Sequence, residues 1–172
     1  MPPYQSSLAA SNKANERLVH EATNRFLDAI RNGAQRQDFE TILNNYTSMQ
    51  TIALFALGKH RRKLEPARHK LYLAKFNDMI LNELAKHGKK LGGKAFVVTR
   101  SFDDIVQGYV QHNLDRTTKI ELRVKNNRIT DIRVQGFWLA LTLRQSFDQL
   151  INNNGGKLDA VFDFLSKSDG SS

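Results

Sequence analysis

The sequence predicts an α+β fold: a helical N-terminal half, a four-stranded antiparallel curved sheet, and two C-terminal helices. Two changes of period predict it. Apolar residues recur every three to four positions as far as Gly88, every second position between Ala95 and Gln135, and every three to four again beyond Gly136.

The first helix is read from Asn12, where Leu18, Ala22, Phe26 and Ile30 form a stripe with Val19 and Leu27 beside it, and Gly33 ends it. A shorter helix follows from Asp38 through Ile42 and Leu43 to Tyr46, then a nearly all-apolar one from Ser48 through Ile52, Leu54, Phe55 and Leu57 to Gly58. After the basic run Lys59-His60-Arg61-Arg62-Lys63, Pro66 opens a long helix that ends at His87-Gly88, with Leu73, Phe76, Ile80 and Leu84 on its buried face.

Four strands are predicted, at Ala95–Phe102, Ile105–His112, Thr118–Lys125 and Ile129–Gln135. In the third, Ile120, Leu122 and Val124 alternate with Lys119, Glu121, Arg123 and Lys125, so the first set faces in and the second out; Asn126-Asn127 makes the turn. Beyond Gly136 a helix carries Phe147, Leu150 and Ile151, Gly155-Gly156 breaks it, and a last helix carries Leu158, Val161, Phe162 and Leu165. One domain over residues 12–167 with flexible termini, 1–11 and 168–172, is the expected organisation. Met1-Pro2-Pro3 and the small residues to Ser11 are read as a start placed where a longer precursor was trimmed.

Lys and Arg total 26 against 17 Asp and Glu, a formal charge of +9 that favours anionic partners. With no cysteine, neither a disulfide nor a thiolate metal site holds the fold. No apolar run approaches the roughly 18 residues of a membrane span, and the N-terminus lacks a signal-peptide pattern.

Catalytic patterns are weak. Gly88, Gly93 and Lys94 have P-loop spacing, but Ala95 stands where a hydroxyl must bind magnesium, and the segment leaves a helix instead of entering one. His20, His60, His69, His87 and His112 form no metal-binding pair and are expected at the surface. Asp103-Asp104 reads as a turn, because adjacent side chains diverge and cannot form a facing acid/base dyad. No Gly-x-Ser-x-Gly elbow is present.

Three stretches in order carry a family resemblance: Ile52-Ala53-Leu54-Phe55-Ala56-Leu57-Gly58-Lys59-His60; then Arg62-Lys63-Leu64-Glu65-Pro66 leading to Phe76; then Ile132-Arg133-Val134-Gln135-Gly136-Phe137 with Leu143-Arg144-Gln145-Ser146-Phe147 and Asn154-Gly155-Gly156. Together they resemble the MlaC, or toluene-tolerance auxiliary, family of periplasmic lipid-binding ABC transport proteins. The first stretch is also similar to the hopanoid-associated HpnM branch. The pattern departs from the family at Gln135 and Trp138, where an acidic and a small hydroxyl residue are usual.

The resemblance implies a periplasmic carrier, not an enzyme and without cofactor or metal, that shuttles phospholipid or a hopanoid-type lipid between outer and inner membranes. Its implied partners are an inner-membrane MCE-domain ABC transporter complex, an outer-membrane lipoprotein complex and, transiently, the membrane surface. The lipid would lie in an apolar pocket between sheet and helices. A 16-carbon tail gains on the order of 12 kcal/mol on burial, before immobilisation costs, at about 0.8 kcal/mol per CH₂. Apolar lining suffices for that. The candidates are Phe96, Val98, Tyr109, Leu122, Val124, Ile132 and Val134 from the sheet, and Phe55, Leu73, Phe76, Ile80, Phe137, Trp138 and Leu141 from the helices, with Trp138 at the rim. Each of these residues also suits plain core packing. Lys59, Arg61, Arg62 and Lys63 are candidates for docking on a membrane or an acidic partner, or form a solvated turn.

Two other classes compete. A basic nucleic-acid-binding module is prompted by the charge, but no basic and aromatic residues interleave, and Phe96 or Tyr109 would have to stack bases on an exposed face, so no nucleic acid is expected. A curved-sheet enzyme would use Asp131 or His112 as a base, although Asp131 alternates with Ile132 and so points away from the apolar face.

Overall fold

A computed structural model describes residues 3–168, among which the order is α1 (Pro3–Arg31), α2 (Arg36–Tyr46), α3 (Met49–Leu57), α4 (Pro66–His87), β1 (Ala95–Phe102), β2 (Ile105–Asn113), β3 (Arg116–Lys125), β4 (Arg128–Val134), β5 (Phe137–Trp138), α5 (Leu139–Asn153) and α6 (Asp159–Lys167). The α+β class holds, with one strand more than predicted: the antiparallel sheet has five strands in sequence order. The extra strand, β5, is two residues long, too short to show an alternation. Helix α1 already begins at Pro3 instead of Asn12, and the basic run Gly58–Lys63 coils into a 3₁₀ turn. Residues 1–2 and 169–172 of the expected flexible termini lie outside the described residues.

Local chemistry sets the element ends. The Asp38 carboxylate accepts the Gln35 amide at 2.7 Å and starts α2, and Pro66 stands in the first turn of α4. Asn126 and Asn127 both adopt positive φ (51° and 58°), which the tight β3–β4 hairpin demands, and Gln135 and Gly136 repeat the device (52° and 88°) before β5.

Three register shifts interrupt the ladders, and in each the extra residue uses its side chain across the strands. The Thr99 hydroxyl donates to the Gln107 carbonyl at 3.2 Å, the Thr130 hydroxyl to the Arg123 carbonyl at 3.5 Å, and His112 Nε2 pairs with Thr118 Oγ1 at 2.8 Å. Such bulges bend their strands and raise the local twist.

The interior divides in two. One core is helical, built from Ile52, Ala56 and Leu57 of α3, Tyr72, Phe76 and Met79 of α4, Phe147 and Ile151 of α5, and Val161, Phe162 and Leu165 of α6. The Tyr72 hydroxyl donates to the Ala53 carbonyl at 2.5 Å, and burial pushes its phenol above the ordinary value. The other core joins one face of the sheet (Phe96, Val106, Val110, Leu122, Val124, Ile129) to Val19, Ala22 and Leu27 of α1 and Tyr46 of α2.

Helix α1 lies on β1 and β2, while α3 and α5 reach β4. The long helix α4 packs against α2, α3 and α6. Along the free edge of the sheet, Asn24 Oδ1 of α1 accepts the Phe96 amide at 3.2 Å, and Arg31 donates to the Lys94 carbonyl at 2.7 Å.

Candidate functional site

Period-two alternation gives the sheet two faces, and the register aligns one row of residues on each across all five strands. On the inner face the row is Val98, Gly108, Ile120, Val134 and Phe137, each the cross-strand partner of the next. The parallel row Val106, Leu122 and Ile132 includes two residues almost fully buried under the helices, Val106 and Leu122. The first row is different: Val98, Ile120 and Val134 are half-buried and Phe137 is 73% exposed. At its centre Gly108 provides no side chain, and the Phe96 ring fills that place; a Cβ on Gly108 would come within 2.4 Å of Phe96 Cζ. The result is an apolar strip, buried at Gly108 on β2, half-buried to either side and open at the β5 edge.

On the outer face the aligned row is Arg100, Gln107, Glu121, Arg133 and Trp138. It is polar and linked. Arg100 Nε donates to Gln107 Oε1 at 2.7 Å, the Gln107 amide donates to Glu121, and Arg133 Nη1 donates to Glu121 Oε2 at 2.9 Å. The guanidiniums of Arg123 and Arg133 stand 4.6 and 5.9 Å from the Trp138 ring centroid. Glu121, expected to face solvent, is therefore only 6% exposed, because long neighbours from β2 and β4 close over it.

Asp131 lies on the outer side, as its alternation implies, yet it is 6% exposed. Its Oδ1 accepts the Ile132 amide at 2.8 Å and the Ala140 amide at 3.0 Å, which caps the start of α5. Burial raises its pKa, and those two amide bonds act against the rise. Of the histidines expected at the surface, His60 is buried, its Nε2 2.6 Å from Asp148 Oδ1 on α5. That contact holds the Asp148 carboxyl below the ordinary range.

The residues named as lining thus separate. Phe96, Val98, Leu122, Val124, Ile132, Val134 and Phe137 share the inner sheet face, whereas Phe76, with Leu73 and Ile80 against it, belongs to the helical core. Tyr109, partner of Val97 and Lys119, and Trp138 lie on the outer face. Phe55 and Leu141 are exposed on α3 and α5, with the Arg144 guanidinium 4.9 Å from the Phe55 centroid. Phe96, only 2% exposed, has no face to offer a nucleobase. Lys59, Arg61, Arg62 and Lys63 are exposed; Lys63 donates to the Gly156 carbonyl at 2.8 Å and Lys59 lies 3.6 Å from Asp148.

Sequence reasoning missed the inner row as a unit and the outer ladder. Both depend on register, which the hairpin lengths fix only once the bulged residues are known. Among the described residues no group of three or more His, Asp or Glu gathers to hold a metal, and no helix is long and apolar enough to cross a membrane.

An open antiparallel sheet with one apolar face, partly roofed by helices and left open at an edge, defines a binding domain of the α+β class. The MlaC protein family model matches residues 13–167, and the chain belongs to that family. Among solved structures, the phospholipid-binding protein from Ralstonia solanacearum, in complex with a phospholipid, has the same fold: TM-score 0.71 over 90% of this chain and 96% of that one, at 18% identity. No curated protein sequence matches the chain.

Proposed function

We propose that this protein is a periplasmic lipid carrier whose ligand's acyl chains lie along the inner row Val98–Gly108–Ile120–Val134–Phe137. The observation that carries this reading is the half-open state of that row beside one whose Val106 and Leu122 are almost fully buried. Five strands spaced about 4.8 Å apart give a row of roughly 19 Å. A single acyl tail spans half of a bilayer core, roughly 15 Å, so the row suits it. Family membership and the phospholipid held by the Ralstonia solanacearum protein support phospholipid as the ligand class.

In this reading the protein carries lipid between the inner and outer membranes, exchanging it with an ABC transporter complex on one side and a lipoprotein complex on the other. Lys59, Arg61, Arg62 and Lys63, all exposed on one 3₁₀ turn, are the docking cations, each worth about 1 kcal/mol near an anionic surface.

Native mass spectrometry of the purified protein, followed by organic extraction, tests the proposal. A bound phospholipid is expected, and a polycyclic lipid in its place would redirect the ligand class to hopanoids. A protein that carries no lipid and takes none from vesicles is not a carrier.

A further inference from the structure

Behind the open end of the inner row, on the outer face, lies a depression of about 280 Å³ lined by Lys119, Glu121, Arg133, Gln135 and Gly136. Its walls belong to the same strand segments as the row: Lys119 precedes Ile120, and Arg133 and Gln135 flank Val134. Beyond β4, only the turn at Gln135–Gly136 and the two-residue strand β5 lie between the depression and this edge of the sheet.

Its chemistry is that of an anion site. Two cations, Lys119 and Arg133, stand against one carboxylate, and that carboxylate is already engaged: Glu121 accepts from Gln107 and Arg133 and has Lys119 Nζ 3.8 Å away. Lys119 keeps 70% of its side chain exposed and has donors to spare. Arg133 commits Nη1 to Glu121, while its Nε–H is buried with no hydrogen-bond partner among the described residues. A buried donor without an acceptor is uncommon, and a guanidinium drawn toward a phosphate satisfies Nε and a terminal nitrogen together. The Gln135 side-chain amide adds a neutral donor at the rim.

We propose that this depression binds a phosphate-class anion, namely the head group of the lipid whose chains occupy the inner row or else free phosphate. The lipid arm rests on the carrier reading above, with the chain passing round the open β5 edge. An anionic head group is then preferred over a zwitterionic one, because the ammonium of the latter meets Lys119.

The test loads the lipid-free full chain from vesicles of equimolar phosphatidylglycerol and phosphatidylcholine and counts bound lipid by native mass spectrometry, with a parallel titration of inorganic phosphate read at the Arg133 Nε–H NMR signal. The expected ratio favours phosphatidylglycerol by on the order of tenfold, the effect of one charge-assisted contact. Lys119→Glu, an exposed substitution, brings the ratio to one or below, and Lys125→Gln on the same face leaves it in place. A phosphate-dependent shift at Arg133 without head-group preference assigns the site to free phosphate. Equal loading of both lipids with no phosphate response overturns the anion site and leaves the inner row standing, whereas no loading and no response overturns both.

Discussion

The ring of Phe96 on β1 sits where Gly108 on β2 lacks a side chain, so close that an added Cβ would meet Phe96 Cζ at 2.4 Å and the Val97 carbonyl oxygen at 2.4 Å. The backbone contact cannot be relieved by a rotamer change. Gly108→Ala is therefore expected to lower unfolding stability by about 1–3 kcal/mol, the range for overpacking, measured as a shifted denaturant midpoint at constant m-value.

Blocking the inner row separates binding from folding when the right position is chosen. Val124 is buried in the sheet core, and Val124→Trp is expected to unfold the domain. Ile120 is half-buried on the open row, so Ile120→Trp keeps a cooperative thermal transition and fails to take up lipid from vesicles. Uptake by a folded Ile120→Trp variant at the parental level would remove the row from the binding site.

Asp131 gives a prediction with a sign. Asp131→Ala leaves the Ala140 amide without its cap and costs about 1–2 kcal/mol, while Asp131→Asn keeps an acceptor and costs less. Because burial raises the folded pKa, the native state holds the proton longer than the unfolded chain. This group's contribution to stability therefore falls as pH rises from the ordinary carboxylate value to the raised one. The Asn variant should lose that slope in urea melts taken across the acidic range.

Asp148 behaves in the opposite sense. The His60 contact, helped by Lys59, lowers its folded pKa, so its stabilisation is complete above the ordinary carboxylate value and is lost as pH falls through the lowered one. Asp148→Asn is expected to be less stable than the parent at neutral pH and to converge with it in strong acid, as read by thermal melts.

The helices and four longer strands were legible because each is long enough to show its period, and Ile120, Leu122 and Val124 do face in. Three features were not. Strand β5 has two residues, so only pairing with β4 reveals that Phe137 and Trp138 point to opposite faces. Glu121 is an outward residue by alternation, and its burial is created by Gln107 and Arg133, which are distant in sequence. His60 lies in a run that reads as solvated, and its partner is on α5. In each case the deciding contact is set by tertiary register and not by the local sequence.

The long outer strand β1 would otherwise present a row of free amides and carbonyls to any second copy of the chain. Asn24 takes the Phe96 amide, Arg31 takes the Lys94 carbonyl and Thr99 interrupts the row, so the edge offers no continuous template. An apolar face and a paired edge are thus managed separately in one sheet: the bonds from α1 close the β1 ladder, whatever occupies the strip.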